Sequence, residues 1–206
     1  MGRETWVHER REYRTLINFV DELFADPANN IRGGVKILGH LGIGKSLSLI
    51  YMVIEYCRRN IPFVIQRDNE VAHLVCDAGV FPFRNSAESY MRLPMPGGPI
   101  RVLFDSGAGC LNQNPFLLFT NVGSAIFFLI VTCSPREPRC VYLKEHHRVV
   151  TYVMESFTFG EILGIKNFEN TIYGDEELYE RYLHYGPSAR DIYSKSPSEI
   201  RRTDIS

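Results

Sequence analysis

The chain has 206 residues, a formal net charge of −1 at pH 7 and 45% hydrophobic residues. These values indicate a folded globular chain, because disordered chains combine low hydrophobicity with high net charge. The near-zero charge also gives no overall electrostatic attraction to nucleic acid. Local basic clusters, such as Arg10, Arg11 and Arg14 or Arg58 and Arg59, are expected to lie mostly on the solvated surface.

The predicted elements alternate between helices and strands along the chain. A helix is predicted over "YRTLINFVDELF", followed by the strand "VKIL", a helix from 45 to 59 and the strand "PFVIQ". Residues 67–99 are expected to hold one helix and a long loop. The strands "IRVLFD", "AIFFLIVT" and "VVTYVM" follow. This order predicts an α/β fold with a mostly parallel five-stranded sheet and helices on both faces.

The C-terminal part is predicted to be helical. Thr158 and Glu161 form a Thr-x-x-Glu capping box at the start of "FGEIL". The helix "DEELYERYLHY" is expected to end at Gly186 and Pro187. Ser188 can then cap a further helix, which places Arg190 in its first turn.

A glycine-rich segment, "GHLGIGKS", lies between the strand "VKIL" and the apolar helix that follows. It fits G-x-x-x-x-G-K-[ST], the phosphate-binding P-loop. Glycines allow successive backbone N–H groups to converge on phosphate oxygens, and the helix N-terminus adds its positive dipole end. A lysine and a serine in these places reach the β- and γ-phosphates and a magnesium ion. The candidate nucleotide-binding residues are therefore Gly39, His40, Leu41, Gly42, Ile43, Gly44, Lys45, Ser46 and Leu47.

Asp105 ends the apolar strand "IRVLFD", as a Walker B aspartate does. With the P-loop present, Ser46 and Asp105 are the candidate magnesium ligands, and Lys45 and Asp105 are candidate catalytic residues. Ser106 stands where many ATPases carry a glutamate that orients water, so the general base is open among Asp68, Glu70, Asp77 and Glu88. ATP is favoured over GTP, because neither a D-x-x-G switch nor an N/T-K-x-D motif is present.

The chain resembles the P-loop NTPase domains of Crinkler (CRN) effectors and retrotransposon-hot-spot (RHS) proteins. The similar segments are "GHLGIGKS", "VLFDSG", "LIVTCSPR", "TYVMESFTFGEIL" and "YGPSARDIY". The resemblance implies an AAA/STAND-like ATPase core. It also implies a sensor-like polar residue at Thr132 or Ser134 and a sensor-2-like, catalytic arginine at Arg190. The nuclease-like domain that usually follows in this family is not expected within these residues.

The expected organisation is an N-terminal helical extension over 1–32, a P-loop NTPase domain over 33–200 and a tail over 201–206. The leading functional hypothesis is Mg²⁺-dependent ATP hydrolysis coupled to conformational change, with a protein or nucleic acid as a further partner. A nucleotide-dependent regulatory module that hydrolyses little is the first alternative. A small P-loop kinase with "SPREPR" as its lid is the second.

No membrane partner is expected. Residues 112–134 carry no charge, but a proline and polar residues interrupt the run, and the N-terminus lacks the apolar core of a signal peptide. Five cysteines at wide spacings indicate neither a disulfide framework nor a zinc site, so reduced thiols in the cytoplasm or nucleus are expected. The oligomeric state is left open.

Overall fold

The computed structural model describes residues 9–26, 33–66, 71–84, 89, 99–105, 127–133, 148–168 and 173–194. Its helices, in chain order, are α1 (Arg11–Ala25), α2 (Lys45–Arg58), α3 (Phe159–Lys166), α4 (Asp175–Tyr185) and α5 (Ala189–Ser194). Its strands are β1 (Gly33–Leu38), β2 (Phe63–Gln66), β3 (Val71–Cys76), β4 (Gly79–Arg84), β5 (Ile100–Asp105), β6 (Phe127–Cys133) and β7 (Arg148–Val153).

The strands form one seven-stranded sheet in the order β4-β3-β2-β5-β6-β1-β7. The run from β2 to β7 in this order is parallel throughout, and it contains the five strands that the sequence predicts. The prediction of a mostly parallel α/β sheet is therefore confirmed. The carboxyl ends of β1, β5 and β6 meet at one edge of the sheet, where ligands bind in open α/β folds.

The sheet is larger than predicted, because β3 and β4 form an antiparallel hairpin beside β2. The sequence predicts one helix and a long loop within residues 67–99 and no strand there, whereas residues 71–84 form this hairpin and Ser89 is helical. Every second residue of β3 is buried, at Ala72 and Leu74, which is the period of a strand. Pro82 argues against a strand in the sequence, but β4 is the edge of the sheet, where proline is tolerated.

Helices α1 and α2 cover one face of the sheet. Their apolar side chains pack in one cluster with those of the strands beneath, which makes α1 part of the main core. The domain boundaries at 32 and 200 stay predictions. The cluster includes Tyr13, Leu16, Ile17 and Val20 of α1, Leu49 and Met52 of α2, and Val35, Ile37, Leu103 and Ile130 of the strands.

The second face of the sheet is equally apolar. Side chains such as Val102, Phe104, Leu129 and Val131 are buried there in a separate cluster. The described helices that pack on the sheet lie on the first face, so helices on this second face stay a prediction. Burial of both faces explains why the central strands are continuous apolar runs.

Helices α3, α4 and α5, the C-terminal helices, form a third apolar cluster around Phe157, Ile162, Leu178 and Ile192. The capping box that begins α3 is present, with Thr158 and Glu161 bonded reciprocally. Arg181 of α4 is 1% exposed, and its Nη1 donates to the Ile192 carbonyl at 2.9 Å. This buried bond holds α5 against α4 within a compact helical unit.

Cys57 and Cys76 are free, whereas Cys133 is disulfide-bonded, so the expectation of reduced thiols is wrong for Cys133. Among the described residues, no helix is both long and apolar enough to cross a bilayer. The cytoplasmic or nuclear location stays a prediction.

Candidate functional site

The glycine loop, residues 39–44, joins the carboxyl end of β1 to the first residue of α2. Gly42 has φ +78° and Gly44 has φ +88°, a left-handed region that side-chain-bearing residues rarely adopt. Gly44 is also the N-cap of α2. These conformations explain the glycines, because the chain must turn sharply from a strand into a helix that begins at once.

Lys45 is folded back across the glycine loop. Its Nζ donates to the carbonyl oxygens of Gly39 and His40, each at 2.6 Å. A cation in the first turn of a helix opposes the helix dipole, so Lys45 needs compensating oxygen atoms. Phosphate oxygens are stronger acceptors than carbonyls, since charge-assisted hydrogen bonds are about twice as strong as neutral ones. The geometry therefore places the Lys45 ammonium group at the mouth of the loop, and phosphate binding by it stays a prediction.

Asp105 and Thr132 form a hydrogen-bonded pair at the same edge of the sheet. Thr132 Oγ1 donates to Asp105 Oδ1 at 2.8 Å, and the two residues are direct partners in the β5–β6 register. Thr132 is 2% exposed. Leu103 and Ile130, two residues earlier in each strand, pack with α2. Since strand side chains alternate between faces, Asp105 and Thr132 lie on the face that carries α2.

This arrangement suits a magnesium ion bound together with phosphate. Ser46 is exposed in the first turn of α2, on the same face and at the same edge as Asp105. A hydroxyl and a carboxylate are oxygen donors of the kind that Mg²⁺ prefers, and substrate phosphates and water complete its shell. Within the described ranges there is no cluster of three or more His, Cys, Asp or Glu side chains that could hold a metal by itself.

The remaining residues of the predicted loop divide into two groups. His40, Leu41 and Leu47 are exposed, whereas the side chain of Ile43 is buried at 1% exposure. A Cβ atom at Gly39 would lie 2.3 Å from Ile43 Cδ1. Ile43 is therefore the hydrophobic anchor of the loop, and only its backbone is available to a ligand.

Helix α5 lies directly against the glycine loop. A Cβ atom at Gly42 would lie 2.1 Å from Ser188 Oγ and 3.1 Å from Arg190 Cβ. Ser188 Oγ accepts from the Asp191 N–H at 3.3 Å, so the predicted cap is present and Arg190 is in the first turn. Arg190 lies 146 to 151 positions along the chain from the residues of the loop. The fold nevertheless brings it next to Gly42.

Of the four candidates for the general base, only Asp77 lies within the described residues, and its position rules it out. Asp77 follows β3, which runs antiparallel to β2, so Asp77 lies at the edge opposite the glycine loop. The other candidates, Asp68, Glu70 and Glu88, lie outside the described residues. So do the alternative sensor Ser134 and the lid segment 134–139.

Two residues behind the glycine loop were missed by sequence reasoning. Arg10 is 2% exposed, and its Nη1 donates to the Ile43 carbonyl at 2.9 Å. Tyr13 donates from its hydroxyl to the Gly44 carbonyl at 3.2 Å. The expectation of a solvated surface is therefore wrong for Arg10, although Arg11 and Arg14 are exposed.

A weak signal for Arg10 exists in the sequence. The buried stripe of α1 contains Tyr13, Ile17 and Val20, and Arg10 stands three residues before its first member. Positions three and four apart lie on one face of a helix, so the sequence spacing alone would group Arg10 with the stripe, although Arg10 is the N-cap of α1 and lies just outside the helix.

Arg10 also affects the pKa of Glu161. Burial works to raise the pKa of Glu161, but hydrogen bonds from Arg10 and from Thr158 outweigh it and hold that pKa below its usual value. Burial raises the pKa of the Tyr13 phenol, so it stays a hydrogen-bond donor at neutral pH. The back of the loop is thus a buried, ion-paired network.

No protein-family model matches this chain. No curated protein matches it either.

Solved structures of Hsp104 are similar in fold. The closed state with ATPγS and FITC-casein has a TM-score of 0.50 and 14% identity over 93% of this chain and 39% of that chain. The extended S. cerevisiae Hsp104:casein complex has a TM-score of 0.48 and 13% identity over 87% and 35%. The chain spans less than two-fifths of the Hsp104 length. The likeness to the closed state supports the α/β fold.

Proposed function

We propose that the chain binds Mg-ATP at residues 39–47 and hydrolyses it to ADP and phosphate. The observation that carries the proposal is that the residues of the predicted phosphate and metal sites lie close together. The glycine loop and Lys45 stand at the same sheet edge, and on the same face, as the Asp105–Thr132 pair. This is the donor set that phosphoryl transfer requires: N–H groups, a lysine, and a carboxylate for the metal.

Each residue has a separate role in this proposal. The N–H groups of the glycine loop hold the β- and γ-phosphate oxygens, and Lys45 leaves its carbonyl partners to contact them. Ser46 and Asp105 hold Mg²⁺, which supplies charge neutralisation on the phosphates. Thr132 orients the Asp105 carboxylate through their hydrogen bond. Arg190 contacts the γ-phosphate from α5.

The chemical step is an in-line displacement by water. The water oxygen bonds to the γ-phosphorus, the bond to the bridging oxygen of ADP breaks, and the proton passes to the released phosphate and solvent. Ser106 occupies the position of a water-orienting glutamate. Slow turnover is therefore expected.

The same serine favours a second candidate, a regulatory module that binds ATP and signals through α5 with little hydrolysis. A protein or nucleic-acid partner belongs to both candidates. The CRN/RHS resemblance supports the ATPase core of either one. A kinase is less favoured, because the sequence offers no acceptor-site signature.

The test is thermal melting and phosphate release with nucleotide-free protein. At a ligand concentration about 100 times Kd, binding adds about 2.7 kcal/mol, a melting shift of about 5–10 °C for a domain of this size. Asp105→Asn should keep most ATP affinity and lose phosphate release. Asp77→Asn, at the opposite edge of the same sheet, is the matched control and should behave as wild type.

The outcomes separate the candidates. A melting shift with phosphate release that Asp105→Asn abolishes supports the ATPase. A shift without release, also after addition of double-stranded DNA or of casein, supports the regulatory module. No shift at millimolar Mg-ATP contradicts both.

A further inference from the structure

A single side chain, that of Arg10, joins three separate parts of the molecule. Nε and Nη2 bond to the two carboxylate oxygens of Glu161 at 3.0 and 3.2 Å, and Nη1 bonds to the Ile43 carbonyl at 2.9 Å. Nη2 also donates to the carbonyls of Ser156 and Glu155, at 3.1 and 3.3 Å. The guanidinium lies 3.9 Å from the centre of the Phe157 ring. Arginine suits this place because its planar fork has five donors in fixed directions.

The contact with Ile43 orients the peptide that follows it. In a trans peptide the C=O of one residue and the N–H of the next point in opposite directions, and no cis bond occurs among the described residues. Because the Ile43 carbonyl points to Arg10, the Gly44 N–H points away from α1. Tyr13 does the same for the next peptide, since its bond to the Gly44 carbonyl turns the Lys45 N–H away from α1. Both N–H groups belong to the predicted phosphate cradle.

The contact with Glu161 extends this support to the C-terminal helices. Glu161 closes the capping box of α3, and α3 packs with α4 and α5 in one cluster. Helix α5 in turn places Ser188 and Arg190 against Gly42. Arg10 therefore holds the back of the loop to the same helical unit that touches its open side.

We infer that Arg10 is a positioning residue for the phosphate cradle. It fixes the Ile43–Gly44 peptide with its N–H toward the nucleotide phosphates and links that peptide to the C-terminal helices. This inference rests on the proposed function, because it needs a phosphate in the loop. A purely structural role would affect unfolding and leave the affinity of the folded protein for phosphates unchanged.

The test is Arg10→Lys, which keeps the charge but has a single nitrogen and cannot reach Ile43, Ser156 and Glu161 together. Affinities for Mg-ATP, Mg-ADP and inorganic tripolyphosphate are measured by calorimetry at a temperature well below each melting point. A loss of about tenfold is expected for ATP and tripolyphosphate, equal to about 1.4 kcal/mol. Arg11→Ala, the exposed next residue in the chain, is the matched control and should bind as wild type.

The outcomes are distinct. If wild type binds none of the three probes, the proposed function and this inference both fail. If wild type binds and Arg10→Lys binds equally well, the inference alone fails, whatever happens to the melting temperature. Circular dichroism of Arg10→Lys shows that the compared protein is folded. If Arg10→Lys does not fold, Tyr13→Phe is measured instead, because it removes the corresponding hydrogen bond to the Gly44 carbonyl. Unchanged tripolyphosphate affinity in Tyr13→Phe would contradict the inference.

Discussion

The hydrogen bonds of Lys45 on the open side of the glycine loop and those on its back differ greatly in range. On the open side, Lys45 bonds to residues five and six positions away. On the back, Tyr13 and Arg10 reach Gly44 and Ile43 across 31 and 33 positions, and Arg10 reaches Glu161 across 151. In the proposed function the open side carries the groups for chemistry, and the contacts at the back orient the backbone between them. The sequence motif therefore contains Lys45 and its partners but none of the residues that bond to the loop from the back.

The largest expected effect on nucleotide binding comes from Lys45→Ala, on the open side of the loop. Loss of a charged donor to phosphate should weaken Mg-ATP binding by about 10- to 100-fold and abolish phosphate release. The unfolding free energy without nucleotide should change by less than about 0.5 kcal/mol, because the lost bonds are partly exposed. Calorimetry and urea unfolding measure the two quantities.

Lys166→Ala is the control for that variant, since Lys166 is a lysine whose ion pair, with Asp175, does not involve the glycine loop. Equal ATP affinity in Lys45→Ala and Lys166→Ala would remove Lys45 from the site.

Gly42→Ala tests the contact between the glycine loop and helix α5. The residue has φ +78°, and a new Cβ would lie 2.1 Å from Ser188 Oγ. The left-handed conformation costs a non-glycine residue about 1–2 kcal/mol, so the unfolding free energy should fall by at least that amount. Gly160→Ala is the matched control: no described atom lies within 4 Å of its Cβ, and alanine favours helix α3 by about 0.5–1 kcal/mol. The changes in unfolding free energy measured with urea should therefore have opposite signs in the two variants. An unchanged unfolding free energy in Gly42→Ala would show that α5 does not pack tightly against the loop.

The back of the loop should also have a pH signature. Because the pKa of Glu161 is lowered in the folded state, its stabilisation is present above the unfolded value of about 4.5 and is lost as the pH falls through the folded pKa. Glu161→Gln keeps the shape of the capping box and removes the titration. It should cost about 1 kcal/mol at pH 7, and the difference from wild type should shrink below about pH 4.5.

Urea unfolding at pH 7 and pH 3.5 measures this difference. The exposed variant Glu176→Gln controls for general charge effects. A difference that is the same at both pH values would mean that the carboxylate charge of Glu161 does not contribute.

The range of the contacts also explains what the sequence could predict. The five parallel strands, the loop, the capping box at Thr158, the cap at Ser188 and the placement of Asp105 follow from local patterns of apolar residues and turn formers. The β3–β4 hairpin does not, because Pro82 in β4 is acceptable only once β4 is known to be an edge strand. The burial of Arg10 does not, because its partners are brought to it by the whole fold.

The smallest expected effect on nucleotide binding comes from Arg190, which contacts the loop from the C-terminal helices. It stands in the first turn of α5, where a cation opposes the helix dipole by about 0.3–1 kcal/mol, and its side chain is exposed. Its Cβ contacts the loop at Gly42, so Arg190→Ala keeps that packing and removes only the guanidinium. The unfolding free energy without nucleotide should therefore stay unchanged or rise slightly.

If Arg190 contacts the γ-phosphate, its removal should weaken binding of ATP and leave binding of ADP nearly unaltered. Charge-assisted contacts between arginine and phosphate are strong, but an exposed one is screened by solvent, so a reduction of about two- to fivefold in the ratio of ATP to ADP affinity is expected. Titration of both nucleotides into wild type and variant measures this ratio. Arg14→Ala, an exposed arginine of α1, is the control. An unchanged ratio together with unchanged phosphate release would make Arg190 an ordinary surface arginine, and the contact between α5 and the loop would then be a matter of packing alone.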